Sequence, residues 1–181
     1  ITRKGKLCMA QYFYEEKNDI WVTTWNKLYN LSFLREFHIH FLEHVYHEDI
    51  VMHAMLALNT RSFTLTNRTT YLYNCKREDS ITNMEQGYTL KHLNDLTIVF
   101  SEIRRLIQAD NNLSKHLQKE INLYYLFEIY HRYLPAMYSN IKKVDLIKGL
   151  ARLSQNCLPP ILETRLTFKS IKRFLFLKLP F

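Results

Sequence analysis

Glycine is almost missing from this chain, at 3 residues of 181. So little glycine leaves no loop of the glycine-rich kind that wraps a nucleotide phosphate. Cysteine is equally thin: Cys8, Cys75 and Cys157 lie far apart and form no CxxC pair. An odd, scattered set suits a reducing compartment better than a disulfide scaffold. No apolar run approaches the ~20 residues that a membrane-crossing helix needs. The opening Ile1-Thr2-Arg3-Lys4-Gly5 lacks the apolar stretch of a signal peptide and does not begin with Met, so the chain is expected to be a fragment or a trimmed form of a longer protein.

What is present is ordinary in bulk and uneven in detail. Hydrophobic residues make up 47% and charged residues 23%, as in most globular proteins. The length suffices for one well-buried core, or for a small lobe with a helical appendage. Of the net charge of +8, almost all lies in the tail. Residues 1–139 hold 16 Lys and Arg against 15 Asp and Glu, and residues 140–181 hold 9 against 2. A surplus confined in this way points to a local anionic partner such as phospholipid head groups, and away from a globally basic nucleic-acid binder.

The pattern predicts an α+β chain that is predominantly α-helical, with a mixed region over 1–85 and a helical extension over 86–181. In the first, Leu31–Glu36 and Ile50–Asn59 read as helices. Phe63–Thr66 and Thr70–Tyr73 read as short strands joined by a turn at Asn67 and Arg68. In the second, Leu90, Leu93, Thr97, Phe100, Ile103 and Ile107 keep the three-four spacing of an amphipathic helix. A second helix follows through Leu117, Ile121, Tyr124, Phe127 and Leu134, with Pro135 as its stop, and the two are expected to pair as a hairpin. A third helix covers Val144–Leu153. Beyond Pro159 and Pro160, residues 162–181 alternate apolar and basic side chains. That pattern lies on an anionic membrane surface or packs on the domain with its lysines in water.

The densest chemical cluster is His38, His40, His44 and His47, with His53 close behind. Five histidines suggest a metal, but no His-Glu-x-x-His spacing occurs and no distant Cys or Asp group completes a shell. The carboxylates Glu48 and Asp49 stand at a loop-to-helix junction, where a helix N-terminus favours the ionised form. An ionised carboxylate at the mouth of a cleft accepts a proton from an attacking hydroxyl. Taken alone, the pair also reads as an ordinary acidic first turn.

Three segments taken in order say more: Trp25-Asn26-Lys27-Leu28-Tyr29 with Phe33-Leu34, then Phe41 with Glu48-Asp49-Ile50, then Leu72-Tyr73 with Arg77, Ser80 and Ile81. Together they resemble the C-terminal, acceptor-side half of family 2 glycosyltransferases of the GT-A type, over roughly residues 20–85. Cys75 departs from that pattern, standing where tyrosine is common.

The resemblance implies an enzyme that moves a sugar from a nucleotide sugar to an acceptor hydroxyl with inversion, in surface polysaccharide or lipopolysaccharide assembly. It implies Asp49 as general base, with Glu48 positioning the acceptor or the loop. Arg77 would neutralise the leaving diphosphate or else pair with Glu78 or Asp79. Lys27 would reach the same anionic region or flank the loop. Trp25 and Tyr29 would stack on sugar faces or join the core, and Ser80 would line the same site. His47 would hydrogen-bond the carboxylate pair or stand in solvent.

The family's nucleotide-binding half is not found in this sequence. There is no Asp-x-Asp to hold Mg²⁺ or Mn²⁺ on a donor diphosphate, so this portion alone is expected to be inactive. The implied setting is the cytoplasm, at the inner face of the membrane, with a sugar or lipid-linked acceptor. A non-catalytic helical module that docks on a membrane or a partner is the rival reading.

Overall fold

The computed structural model describes residues 1–74, 89–137 and 139–156. Those residues are predominantly helical with one two-stranded sheet. Strand β1 (Thr2–Lys4) leads into a short helix α1 (Cys8–Ala10) that continues as a turn of π-helix over Gln11–Glu15. After a long irregular stretch come α2 (Leu31–Glu36), α3 (Glu48–Asn59) and β2 (Ser62–Thr64). The helices α4 (Leu90–Ala109), α5 (Lys115–Met137) and α6 (Lys143–Asn156) complete the order.

The core is built on α3. Every residue from Ile50 to Leu58 is buried, including His53. A helix apolar all round is a central element rather than a surface one, and α1 and α4 pack against it. On α4 the buried residues Leu93, Leu96, Val99, Phe100, Ile103 and Ile107 follow the 3.6-residue period. Leu117, Ile121, Tyr125 and Ile129 give α5 its inward stripe, and the buried hydroxyls of Tyr125 and Tyr14 meet at 2.6 Å. The α4 and α5 helices pack on each other across a short connection, and α6 lies chiefly on α4. One apolar cluster thus runs from Leu7 to Leu153.

Two expectations are corrected. Thr70–Tyr73 does not pair with the strand at 63–66. Instead β2 pairs antiparallel with β1, in the register Thr2↔Thr64, Arg3↔Phe63 and Lys4↔Ser62. Three residues per strand are marginal alone. The ribbon is held down where Phe63 meets the edge of Tyr12 at 5.4 Å, with the Arg3 guanidinium over the same tyrosine. Nor does Pro135 stop α5, which runs on to Met137. A proline removes one amide donor without removing the last turn. The end is closed instead by Ser139, whose hydroxyl and amide both donate to the carbonyl of Ala136.

Candidate functional site

The segment between the π-turn and α2 has no regular structure, so its carbonyls must find other donors. Lys27 supplies them. Its ammonium donates to the backbone oxygens of Trp21 and Thr23 and, at 2.8 Å, to Oδ1 of Asn26. The Tyr29 hydroxyl donates to the carbonyl of Thr24 at 3.1 Å. Asn30 then caps α2, its side chain accepting from the amides of Ser32 and Phe33. Residues 21–30 are therefore wound around one partly buried cation.

That cation lies within electrostatic range of Asp49 at the start of α3. Glu48 and Asp49 form its first turn, so the helix begins two residues earlier than the pattern predicted and the carboxylates sit where the helix dipole favours them. Burial pushes the Lys27 ammonium down to about 8, against the opposing pull of the Asp49 carboxylate. One turn below Asp49, His53 is 1% exposed. Burial, with the Lys27 charge adding to it, holds His53 down to about 3. Among the described residues neither ring nitrogen of His53 has a hydrogen-bond partner, and the same holds for the buried hydroxyl of Thr23. Burial also raises Tyr29 to about 12, keeping its phenol protonated.

On the outer side of this loop the aromatics gather. Trp25 stacks on Tyr73 at 5.0 Å with ring planes 5° apart, and meets Tyr71 at 4.3 Å with the rings tilted by 32°. Trp21 meets Trp25 edge-on at 6.1 Å. All four rings keep exposed surface. The first resemblance segment thus comes within electrostatic range of the second, Lys27 feeling the Asp49 carboxylate, and it stacks on the third through Trp25 and Tyr73. Arg77 and Ser80 lie outside the described residues, as does the basic tail over 162–181.

The histidine run is a chain of tight turns. His38, His44 and His47 all take positive φ (50°, 60° and 68°), a backbone region in which histidine is several-fold enriched among non-glycine residues. No group of three His, Cys, Asp or Glu among the described residues is gathered to hold a metal ion.

His47 is not a solvated loop histidine. It is partly buried, and its Nδ1 lies 3.1 Å from an Arg132 guanidinium nitrogen, which donates to it. Burial, the Arg132 charge and the neighbouring His92 hold His47 down to about 4.

A second polar cluster fixes the approach to α3. Asp95, buried on α4, accepts from the amide of Tyr46 at 2.9 Å and from the Lys91 ammonium. Lys91 also donates to the carbonyl of His44 at 2.7 Å and sits over the Tyr46 ring, which stacks on His92 at 3.8 Å. Arg132 reaches His47 from α5 while pairing with Glu128. The loop 44–47 is thereby bolted to α4 and α5, holding the first turn of α3 in place. Sequence reasoning missed this cluster. Its one signal was an aspartate at position 95 inside an otherwise apolar face.

An open groove of about 430 Å³, lined by Leu42, Thr97, Ile98, Ser101, Glu102 and Arg105, contains none of the predicted site residues. No helix among the described residues is long and apolar enough to cross a membrane. No family model, curated protein or solved structure matches this chain.

Proposed function

We propose that the chain is the acceptor-side portion of an inverting, nucleotide-sugar-dependent transferase related to the family 2 glycosyltransferases. The reading includes work on surface polysaccharide or lipopolysaccharide at the inner face of the cytoplasmic membrane. What supports it is convergence. Three segments separated by up to some fifty residues come near one another, with Lys27 in electrostatic range of Asp49 and Trp25 stacked on Tyr73.

In this reading Asp49 takes the proton of an acceptor hydroxyl. The freed oxygen then bonds to the anomeric carbon of the donor sugar, and the bond from that carbon to the nucleoside diphosphate breaks on the opposite face, which inverts the centre. Asp49 suits the task because it lies on the first turn of a helix whose remainder is locked in the core. Glu48 beside it positions the acceptor or the loop. Lys27 ties the Trp21–Tyr29 loop together from within, in electrostatic range of the Asp49 carboxylate. Trp21, Trp25, Tyr71 and Tyr73 offer flat faces to the apolar side of a sugar ring. The donor would be held by a separate nucleotide-binding half, with Arg77 at its diphosphate and Ser80 beside it, both assigned through the sequence resemblance.

The test is sugar transfer by this chain joined to such a half, with Asp49→Asn against wild type. Loss of a positioned base costs about 10²–10⁴-fold in rate. An Asn variant that keeps full activity removes Asp49 from the mechanism.

The rival reading, a non-catalytic membrane-docking domain, draws on a different surface of the molecule.

A further inference from the structure

We propose that the outward face of α6 is a docking surface for an anionic phospholipid bilayer. This does not depend on the transferase reading. The helix turns Gly149 and Leu153 inward, with Leu146 half-buried beside them. The missing side chain at Gly149 is what lets α6 lie close to α4, because a Cβ there would stand 2.7 Å from Leu93 Cδ2. At 100° per residue, Val144, Ile147 and Ala151 fall on the opposite side of the helix. Val144 is 52% exposed and Ile147 62%. An apolar strip rimmed by charged residues on one helix face is the composition of an interaction site.

The flanks say which partner. Lys143 borders the ridge on one side and Lys148 and Arg152 on the other, with Lys142 just before the helix; all four are exposed. Asp145 is the single acid between residues 142 and 152. None of the ion pairs among the described residues involves Lys142, Lys143 or Lys148. Arg152 donates to the Asn94 side-chain oxygen at 3.0 Å, a neutral partner that leaves its charge uncompensated. This face therefore combines aliphatic side chains with a surplus of cations on a helix about 21 Å long.

A lipid interface accepts both parts. The branched side chains enter the acyl boundary while lysine stems bend to keep their ammonium groups among the phosphates. A nucleic acid would match the cations but leave Val144 and Ile147 in water. The helix is already folded on the core through Leu153, so binding carries no cost of ordering it.

The test is co-sedimentation of the full chain with extruded vesicles of phosphatidylcholine alone and of phosphatidylcholine with one quarter phosphatidylglycerol. Binding is expected to the anionic vesicles only, weakening as salt rises. Each lysine near such a surface contributes about fivefold, so Lys143→Glu with Lys148→Glu is expected to weaken partitioning roughly 25-fold or more. Val144→Ser with Ile147→Ser weakens it at unchanged charge, and all four positions are exposed, so circular dichroism is expected to stay at wild type. Should either pair disturb the fold, Lys148→Gln alone carries the test with its fivefold loss.

Equal binding to neutral vesicles overturns the proposal, and so does partitioning that these changes leave intact. Tighter binding to a generic DNA duplex than to the anionic vesicles overturns it too, as does self-association of the chain in place of vesicle binding.

Discussion

The two regions that meet at the proposed site are built on opposite principles. The α3 helix contributes Asp49 from a rod buried along nine consecutive residues, so burial fixes its position and any disturbance is felt by the whole fold. The loop 21–30 contributes Lys27 and Trp25 and owes its shape to hydrogen bonds from the Lys27, Tyr29 and Asn30 side chains to backbone groups. A rigid helix start facing an adjustable rim is how binding residues are commonly presented on a scaffold. The difference teaches where mutations should act: in the core on stability, and in the loop on local order and binding.

The strongest way to break that contrast is Phe100→Ala on α4, a residue only 2% exposed. It is expected to lower unfolding free energy by about 3–5 kcal/mol in a urea titration. A loss near zero would mean that α4 does not pack as described.

Acidification reaches a comparable size by another route. The folded values of about 4 for His47 and about 3 for His53 lie below the ordinary 6.5. The unfolded chain therefore binds protons first. Stability is full above pH 6.5 and falls as pH drops towards those folded values, with a slope of up to about 1.4 kcal/mol per pH unit for each histidine. His53→Leu, which also removes two unpartnered nitrogens, should flatten part of that slope. A pH-independent stability between 6.5 and 4 would contradict the burial of both rings.

Gly149→Ala is expected to cost about 1–3 kcal/mol by overpacking Leu93, read as a lowered melting temperature. The smallest global effect belongs to Lys27→Met, expected to change stability by less than about 1 kcal/mol. Limited proteolysis should nevertheless cleave within residues 17–30 faster than in wild type. A large global loss instead would place the loop inside the cooperative core.

The sequence is most legible where a pattern is local. The bounds of α2 match the sequence reading of Leu31–Glu36, and the structure adds the Asn30 cap that fixes its start. The α4 stripe was readable from its period. The pairing of β2 was not, because its partner is a three-residue strand sixty positions away with no apolar alternation of its own. Thr70–Tyr73 imitated a strand because its tyrosines alternate, yet Tyr71 and Tyr73 alternate to face Trp25. The histidine run imitated a metal site because composition cannot show that three of its members sit at positive φ. At the site, Asp49, Lys27 and Trp25 were named from the resemblance and His53 only as a member of the histidine run, while Asp95 and Arg132 emerged only when distant helices were brought together.

Both tryptophans of the chain, Trp21 and Trp25, lie in the aromatic cluster beside the loop, so selectively excited tryptophan emission reports on the proposed acceptor surface. Titration with a panel of oligosaccharide and lipid-linked sugar acceptors is the most direct measurement of that surface. A saturable change in emission is predicted for at least one acceptor, abolished by Tyr73→Ala and weakened by Asp49→Asn. Emission that stays constant across the panel, or a response that both variants retain in full, would contradict a sugar-binding site where these segments meet.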